Sequence, residues 1–254
     1  MTMKIAFSAS KRPEAQTALQ VLTQKYGQVS EDSADVIVAL GGDGAMLDAM
    51  RRRFGDQKPV YGMNRGTVGF LMNQYSEDDL PTRIDRAELA SVSPLRMSAT
   101  DIAGNRHDHL AINEVSMLRQ TSQTAKLKII IDGKQRIEEL ACDGLMVATA
   151  AGSTAYNLSA HGPILPIGAN LLALTPVSAF RPRRWRGALL RHDAQIEVEV
   201  VSPHLRPVSA SADNQEVRNI VNVSIHEETS LHLTMLFDTG HALDERILRE
   251  QFAF

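Results

Sequence analysis

The first 90 residues alternate between short apolar runs and segments with helical spacing. Apolar runs at 4–7, 34–40 and 59–63 predict strands, and apolar residues three and four apart predict a helix over 12–26. The run at 34–40 is β-branched at its centre, as in a strand covered on both faces. A second helix is predicted after it, and acids within 76–80 indicate the first turn of a short third helix. This βαβαβ order predicts a parallel sheet with helices on its faces.

From about residue 91 the sequence changes to short extended segments with few helical signals. Asp132 and Gly133 separate two extended runs and predict a hairpin, because both positions of a two-residue turn favour positive φ. Further predicted strands are QIEVEVV, RPVSASA, VNVSIH and LHLTMLF. We therefore expect an α/β N-terminal domain with a parallel sheet (1–90), followed by a β-rich domain (91–237). A C-terminal helix (238–254) is expected to pack back on the first domain.

Composition limits the partners and the compartment. A formal net charge of −3 gives no general attraction to nucleic acid or to acidic membranes. No window approaches about 18 consecutive apolar residues, so no membrane-spanning helix is predicted. Cys142 is the only cysteine, which excludes an intrachain disulfide and a thiolate metal cluster and suits a reducing compartment. These observations predict a cytoplasmic protein that binds neither nucleic acid nor membranes.

The stretch GGDG at 41–44 directly follows a predicted strand. Ligands bind at the carboxyl ends of strands in α/β sheets, and glycines let backbone amides approach an anion at the start of a helix. Phosphate binding is therefore predicted for Gly41, Gly42 and Gly44. Asp43 would repel a phosphate, but it suits a general base that takes a proton from a hydroxyl group, or a group that orients a metal ion. The structural alternative is a tight turn in which Asp43 caps the helix.

A second glycine turn lies within 143–166, DGLMVATAAGSTAYNLSAHGPILP. A strand-like run ends in small residues, and Gly152, Ser153 and Thr154 offer a flexible turn with hydroxyl donors. Tyr156 adds an aromatic face for a flat ring. The alternative is a tight turn that leads into a short helix capped by Ser153 or Thr154.

Four blocks, in this order, resemble the signature set of the NAD kinase family: GGDGAML at 41–47, GMNRGTVGFL at 62–71, INEVS at 112–116 and the segment 143–166. GGDG alone is shared with lipid kinases and phosphofructokinases, whereas GSTAY after Asp-Gly is far more specific. The resemblance implies phosphorylation of NAD at the 2′-hydroxyl of its adenosine ribose, which gives NADP. It also implies ATP or polyphosphate as the donor, a divalent metal ion (Mg²⁺) as cofactor, and a homodimer or homotetramer with its site between the two domains.

The resemblance carries roles to the matching residues. Asp43 matches the acid that accepts the proton of the 2′-hydroxyl. Asn113 and Glu114 match a pair that hydrogen-bonds the adenosine part of NAD, and Asp143 matches the acid at the nicotinamide end. Gln215 resembles the glutamine of the Asp-Gly-Gln segment of the family. The remaining predicted NAD-binding residues are Gly44, Ala151, Thr154, Ala155, Tyr156, Asn157 and Ser159.

Two positions depart from the family pattern. Many members carry arginine two residues before the acid that matches Asp143, and this position is Ala141 here. Asn214 replaces the glycine of Asp-Gly-Gln. Asparagine tolerates the left-handed conformation better than most residues, so we expect the turn to be kept.

The sequence leaves open two other functions and the role of one segment. A lipid kinase shares GGDG, although the sequence contains no amphipathic membrane segment. A regulator that binds pyridine nucleotides without turnover would keep the same pocket. The arginine-rich segment RPRRWRGALLR at 181–191 suits either a solvated or subunit-contact loop, which is favoured, or a surface for a polyanionic donor.

Overall fold

A computed structural model describes residues 3–56, 58–66, 69–183, 185–240, 245, 246, 248 and 252. The chain divides into two compact units. The α/β unit comprises residues 1–92 and 231–254, and the β-rich unit comprises residues 93–230.

The strands of the described residues are β1 (Ile5–Ala9), β2 (Val36–Gly41), β3 (Val60–Asn64), β4 (Glu88–Val92), β5 (Leu95–Asp101), β6 (Arg106–Ala111), β7 (Glu114–Arg119), β8 (Ala125–Ile131), β9 (Lys134–Cys142), β10 (Gly144–Ala148), β11 (Leu171–Val177), β12 (Ala188–Arg191), β13 (Ile196–Val200), β14 (Val208–Ala212), β15 (Gln215–Val217), β16 (Ile220–Glu227) and β17 (Leu233–Phe237). The α-helices whose two ends lie within the described residues are α1 (Pro13–Tyr26), α2 (Asp43–Arg51), α3 (Leu80–Asp85) and α4 (Tyr156–Ser159). Short 3₁₀ helices cover Glu31–Ser33, Ala151–Thr154 and Ile167–Ala169.

The α/β unit is built on a five-stranded sheet with the order β1-β2-β3-β17-β4. Within this sheet β1, β2, β3 and β17 run parallel to one another, and β4 is antiparallel to β17. Every residue of β2 is buried, which confirms the prediction of a strand covered on both faces. α1 begins at Pro13, a residue suited to the first turn of a helix, and buries Ala15, Ala18 and Leu22. The predicted βαβαβ order is confirmed over the first three strands.

Two local predictions are wrong. The sequence pattern assigns LHLTMLF to the β-rich domain, but β17 pairs with β3 and β4 in the α/β unit. Alternation identifies a strand without identifying its partner, so the pattern could not place it. The third helix begins only at Leu80, and the acids at 77–79 therefore precede the helix instead of forming its first turn.

Asn73 joins β3 to the end of β17. Its backbone N–H donates to the Gly62 carbonyl and its own carbonyl accepts from the Asn64 amide, both at 2.8 Å. Its side chain is buried, and Nδ2 donates to the Leu236 carbonyl at 2.9 Å while Oδ1 accepts from the Asp238 amide at 2.9 Å. One residue thus hydrogen-bonds two strands that are about 170 positions apart in sequence.

The β-rich unit contains two antiparallel six-stranded sheets, with the orders β12-β11-β10-β7-β14-β15 and β6-β5-β16-β13-β8-β9. Buried residues of both sheets form one core, as in a β-sandwich. Asp132 and Gly133 have φ values of 52° and 70° and join β8 to β9, which confirms the predicted hairpin. Within the arginine-rich segment, whose residue 184 lies outside the described residues, Trp185 packs against this core.

The predicted C-terminal helix over 238–254 lies largely outside the described residues. Glu245, Arg246 and Leu248 are helical, and Arg246 Nη1 donates to the carbonyls of Phe70 and Met72. Among the residues that the structure describes, no helix is long and apolar enough to cross a membrane.

We predict that Asn73→Ala destabilises the α/β unit. The substitution leaves the Leu236 carbonyl and the Asp238 amide without their side-chain partners, and each buried unsatisfied group costs about 1–3 kcal/mol. The free energy of unfolding, measured by urea denaturation with far-ultraviolet circular dichroism, should fall by about 2–4 kcal/mol. The exposed neighbour Gln74 provides the control Gln74→Ala, which should change stability by less than about 0.5 kcal/mol. Equal urea midpoints for the two variants would contradict the role given to Asn73.

Candidate active site

The glycine turn between β2 and α2 packs too closely for a side chain at Gly41. Gly41 has φ 155°, and a Cβ atom there would lie 2.7 Å from Ala45 Cβ and 3.1 Å from Ser10 Oγ. Gly42 precedes the first helical residue, and no side chain caps the start of α2. The first amides of α2 are therefore left to water or to a ligand, and the helix dipole favours an anion there.

Asp43 is the first residue of α2, and its half-buried carboxylate is held from another loop. Oδ2 accepts the Phe70 amide at 2.9 Å and Oδ1 accepts the Leu71 amide at 2.8 Å. The alternative in which Asp43 caps the helix is therefore wrong, because Gly42 occupies the capping position. The two hydrogen bonds join the GGDG block to the 62–71 block, of which residues 67 and 68 lie outside the described residues.

A cavity of about 410 Å³ opens beside the glycine turn. It lies where β1, β2 and β3 end, which is the edge at which ligands bind in open parallel sheets. The glycine turn contributes Gly42, Asp43 and Gly44. The other lining residues are Ser8, Ala9, Ser10, Arg12, Ala45, Asp48, Arg52 and Gly66.

A second cluster forms in the β-rich unit around the carboxylate of Asp213. This carboxylate accepts the amides of Ile112 at 2.9 Å, Asn113 at 3.0 Å and Glu114 at 3.3 Å. The sequence predicts Asn113 and Glu114 as site residues, but it does not identify Asp213 as the acid that accepts their backbone amides. The one signal for it was an acid in the short DNQ turn, where acids are common for local reasons alone.

Two buried oxygens in this cluster lack partners among the described residues: Asn113 Oδ1 and Glu114 Oε2. Burial, which is the larger cause, and the negative charge of Asp213 together raise the pKa of Glu114 to about 7. Buried polar atoms are nearly always hydrogen-bonded, so unpaired oxygens beside a shifted carboxyl group are typical of a ligand site.

The loop after β10 packs directly on this cluster. A Cβ atom at Gly152 would lie 2.1 Å from the Asn113 carbonyl oxygen, so only glycine fits. Thr149 Oγ1 donates to the Ile112 carbonyl at 2.8 Å and accepts the Gly152 amide at 3.0 Å. The predicted loop and the predicted Asn113–Glu114 pair are thus brought together.

Not every residue of the predicted NAD loop faces outward. Asn157 is fully buried, and its amide group donates to the Ser153 and Pro163 carbonyls while its oxygen accepts from Thr175 Oγ1 at 2.7 Å. Its side chain therefore shapes the loop instead of meeting a ligand. Ala151 is also buried, whereas the side chains of Thr154, Ala155, Tyr156 and Ser159 are half-buried or exposed.

Asp143 is paired with an arginine that sequence reasoning missed. Arg119 Nε lies 2.6 Å from Asp143 Oδ1, and the Arg119 amide donates to the Asp143 carbonyl at 2.9 Å. Arg119 ends β7, which pairs with β10, so a neighbouring strand supplies a cation close to the acid. Ala141, where the resemblance to the family leads us to expect arginine, is buried.

The β14–β15 turn keeps its two-residue form, with Ala212 paired to Gln215. The expectation for Asn214 was wrong in one detail, because the left-handed residue is Asp213, with φ 50°. Aspartate shares the tolerance of asparagine for this region. Gln215 begins β15 and is exposed.

Comparison with known proteins identifies the family. Sequence models of the ATP-NAD kinase N-terminal domain and the ATP-NAD kinase C-terminal domain match residues 2–88 and 112–225. A relative named NAD kinase from Hyphomonas neptunium is 70% identical over 252 residues, 99% of each chain. Another from Caulobacter vibrioides is 59% identical over 250 residues, which covers 98% of this chain and 96% of the relative.

Two solved structures share the fold. Yeast NADH kinase complexed with NADH matches with a TM-score of 0.84 and 21% identity, covering 99% of this chain and 88% of that one. An NAD kinase from Archaeoglobus fulgidus in complex with ATP matches with a TM-score of 0.76 and 23% identity, covering 98% and 97%. The chain therefore belongs to the NAD kinase family of phosphotransferases.

Proposed function

We propose that this chain transfers a phosphoryl group from ATP, or from polyphosphate, to the 2′-hydroxyl of the adenosine ribose of NAD, and that Asp43 is the catalytic residue. The observation that carries the proposal is the carboxylate of Asp43, held by the amides of Phe70 and Leu71 beside an uncapped helix start. The ATP bound by the Archaeoglobus relative and the NADH bound by the yeast relative support these classes of donor and acceptor.

Asp43 acts as the general base in this proposal. Each carboxylate oxygen accepts one amide and keeps a further acceptor site, so the group is oriented while it remains able to take the hydroxyl proton. Positioning and charge neutralisation supply most of the rate of phosphoryl transfer. The glycine turn of Gly41, Gly42 and Gly44 contributes backbone amides to the donor phosphates.

The residues that line the cavity fit a Mg²⁺ ion that would be bound mainly by the phosphates of the donor. Asp43 and Asp48 are the acids that line the cavity, and the described residues contain no group of three or more His, Cys, Asp or Glu that could hold a metal. Mg²⁺ usually takes one or two carboxylates together with substrate phosphates and water. When bound, the ion would neutralise charge on the transferred phosphoryl group.

The β-rich unit binds NAD in this proposal. Asn113 and Glu114 each offer an oxygen that has no partner among the described residues, and these oxygens suit the amino group of adenine and the ribose hydroxyls. Asp143 is oriented by Arg119 towards the nicotinamide end. Thr154, Ala155, Tyr156, Ser159 and Gln215 make surface contacts with NAD, and Ala151 and Asn157 support the loop.

The proposal extends to a cytoplasmic homodimer or homotetramer, as the family resemblance implies. Size-exclusion chromatography with light scattering at micromolar concentration should give two or four times 27.9 kDa. A monomer mass at this concentration would contradict this part of the proposal.

Asp43→Asn should lower kcat about 100-fold or more, because the variant lacks the base that takes the hydroxyl proton. Production of NADP from NAD, Mg²⁺ and ATP measures this, and the exposed acid Asp85 provides the control Asp85→Asn, with unchanged kcat expected. If the Mg²⁺ activation constant of Asp43→Asn equals that of the wild type, Asp43 acts as a base. If the constant is raised in the variant, Asp43 orients the metal ion. Full activity in Asp43→Asn would exclude both roles, and NAD binding by the wild type without turnover would favour a nucleotide-binding regulator.

The KM for NAD should fall as pH rises through about 7. Glu114 has its pKa raised to about 7, so it is mostly protonated at pH 6, and the ribose hydroxyls need its ionised form as acceptor. The ionised fraction of Glu114 is then about tenfold lower at pH 6 than at pH 8, so the KM for NAD should be about tenfold higher at pH 6. Steady-state kinetics across this range measure the effect, and Glu114→Gln should give a flat profile. A wild-type KM that does not change with pH would contradict the assignment.

A further inference from the structure

We infer that Arg12 binds the phosphate chain of the donor, which adds a binding residue to the proposed function and rests on it. Arg12 follows the carboxyl end of β1 and directly precedes α1, with extended backbone angles of −68° and 139°. It lines the same cavity as Gly42 and Asp43. Neither the glycine motif nor the other predicted site residues include it.

The guanidinium of Arg12 lies beside the glycine turn. A Cβ atom built on Gly66 would lie 3.5 Å from Arg12 Nη1 and 3.7 Å from Gly42 Cα. The Arg12 guanidinium and the backbone of the glycine turn therefore both lie close to Gly66. A planar guanidinium can donate two parallel hydrogen bonds to a phosphate, which suits this position.

The charged residues that line the cavity include a cation without a partner among the described residues. Its acids are Asp43 and Asp48, and its cations are Arg12 and Arg52. Arg52 is already engaged, because it pairs with Glu31 at 2.7 Å and donates to Ser8 Oγ at 2.9 Å. Among the residues that the structure describes, the side chain of Arg12 makes no hydrogen bond or ion pair. Arg12 is thus the cation left to oppose the negative charges of a polyphosphate chain.

A second observation in the same cavity also points to a ligand. Ser10 Oγ is buried and has no hydrogen-bond partner among the described residues. Its backbone is fixed, because the Ser10 amide donates to the Leu40 carbonyl at 2.9 Å and Gln16 Nε2 donates to the Ser10 carbonyl at 2.8 Å. A hydroxyl held in place without a partner is available to a phosphate oxygen, two residues from Arg12.

The test compares Arg12→Met and Arg12→Lys with the neighbouring control Lys11→Met, since Lys11 is exposed and does not line the cavity. The full chain is assayed for kcat and for the KM of ATP and of NAD. Binding of inorganic tripolyphosphate is measured separately by calorimetry. We expect Arg12→Met to raise the KM for ATP about tenfold or more and to weaken tripolyphosphate by a similar factor. The KM for NAD should change less than twofold, Arg12→Lys should show part of the effect, and Lys11→Met none.

The outcomes separate this inference from the proposed function. A wild type that turns over, with an Arg12→Met variant whose KM for ATP and tripolyphosphate affinity are unchanged, overturns the role of Arg12. A wild type without turnover removes the proposed function, and loss of tripolyphosphate binding in Arg12→Met would still support Arg12 as a polyphosphate ligand. Circular dichroism verifies folding, and Arg12→Lys keeps the charge if Arg12→Met fails to fold.

Discussion

The contact between the Asp43 carboxylate and two backbone amides is the interaction on which the candidate site of the α/β unit depends. The glycines on either side of Asp43 supply close approach but no side-chain contacts, so they cannot fix the turn by packing. Hydrogen bonds to Phe70 and Leu71 hold the acid in one orientation and also bring the 62–71 loop to the turn. The group proposed to do the chemistry is therefore also the group that organises its surroundings.

Asp213 holds the backbone of residues 112–114 in the β-rich unit by the same means. Its carboxylate accepts three successive amides, while the buried Asn113 Oδ1 and Glu114 Oε2 have no partner among the described residues. Charge-assisted hydrogen bonds to backbone amides are strong, and they fix the main chain without using the side chains that meet substrate. In each unit the functional groups thus lie beside an acid that binds backbone amides, and burial together with the negative charge of Asp213 keeps the pKa of Glu114 raised.

The sheet beneath the cavity depends on residues that are distant in the sequence. β17 lies between β3 and β4 in this sheet, although the β-rich unit separates it from both strands in sequence. Asn73 secures the junction of β3 and β17 with hydrogen bonds to Gly62 and Asn64 and to Leu236 and Asp238. The edge where β1, β2 and β3 end, with Arg12 and the glycine turn, is therefore part of a sheet that the last strand completes.

The elements and the chemistry that depend on near neighbours can be predicted from the sequence. Apolar spacing predicted β1 to β3 with their helices, Asp132-Gly133 predicted its hairpin, and the glycines around Asp43 predicted an anion-binding turn, because backbone conformation and side-chain period are local properties. Four features become visible only in the folded chain: the partners of β17, the acid that binds the amides of Asn113 and Glu114, the arginine beside Asp143 and the burial of Asn157. Each of these features involves contacts between residues that the regular spacing of a helix or strand does not relate. The pairing and packing of the strands decide which of these residues come into contact, and a local sequence pattern does not specify that pairing.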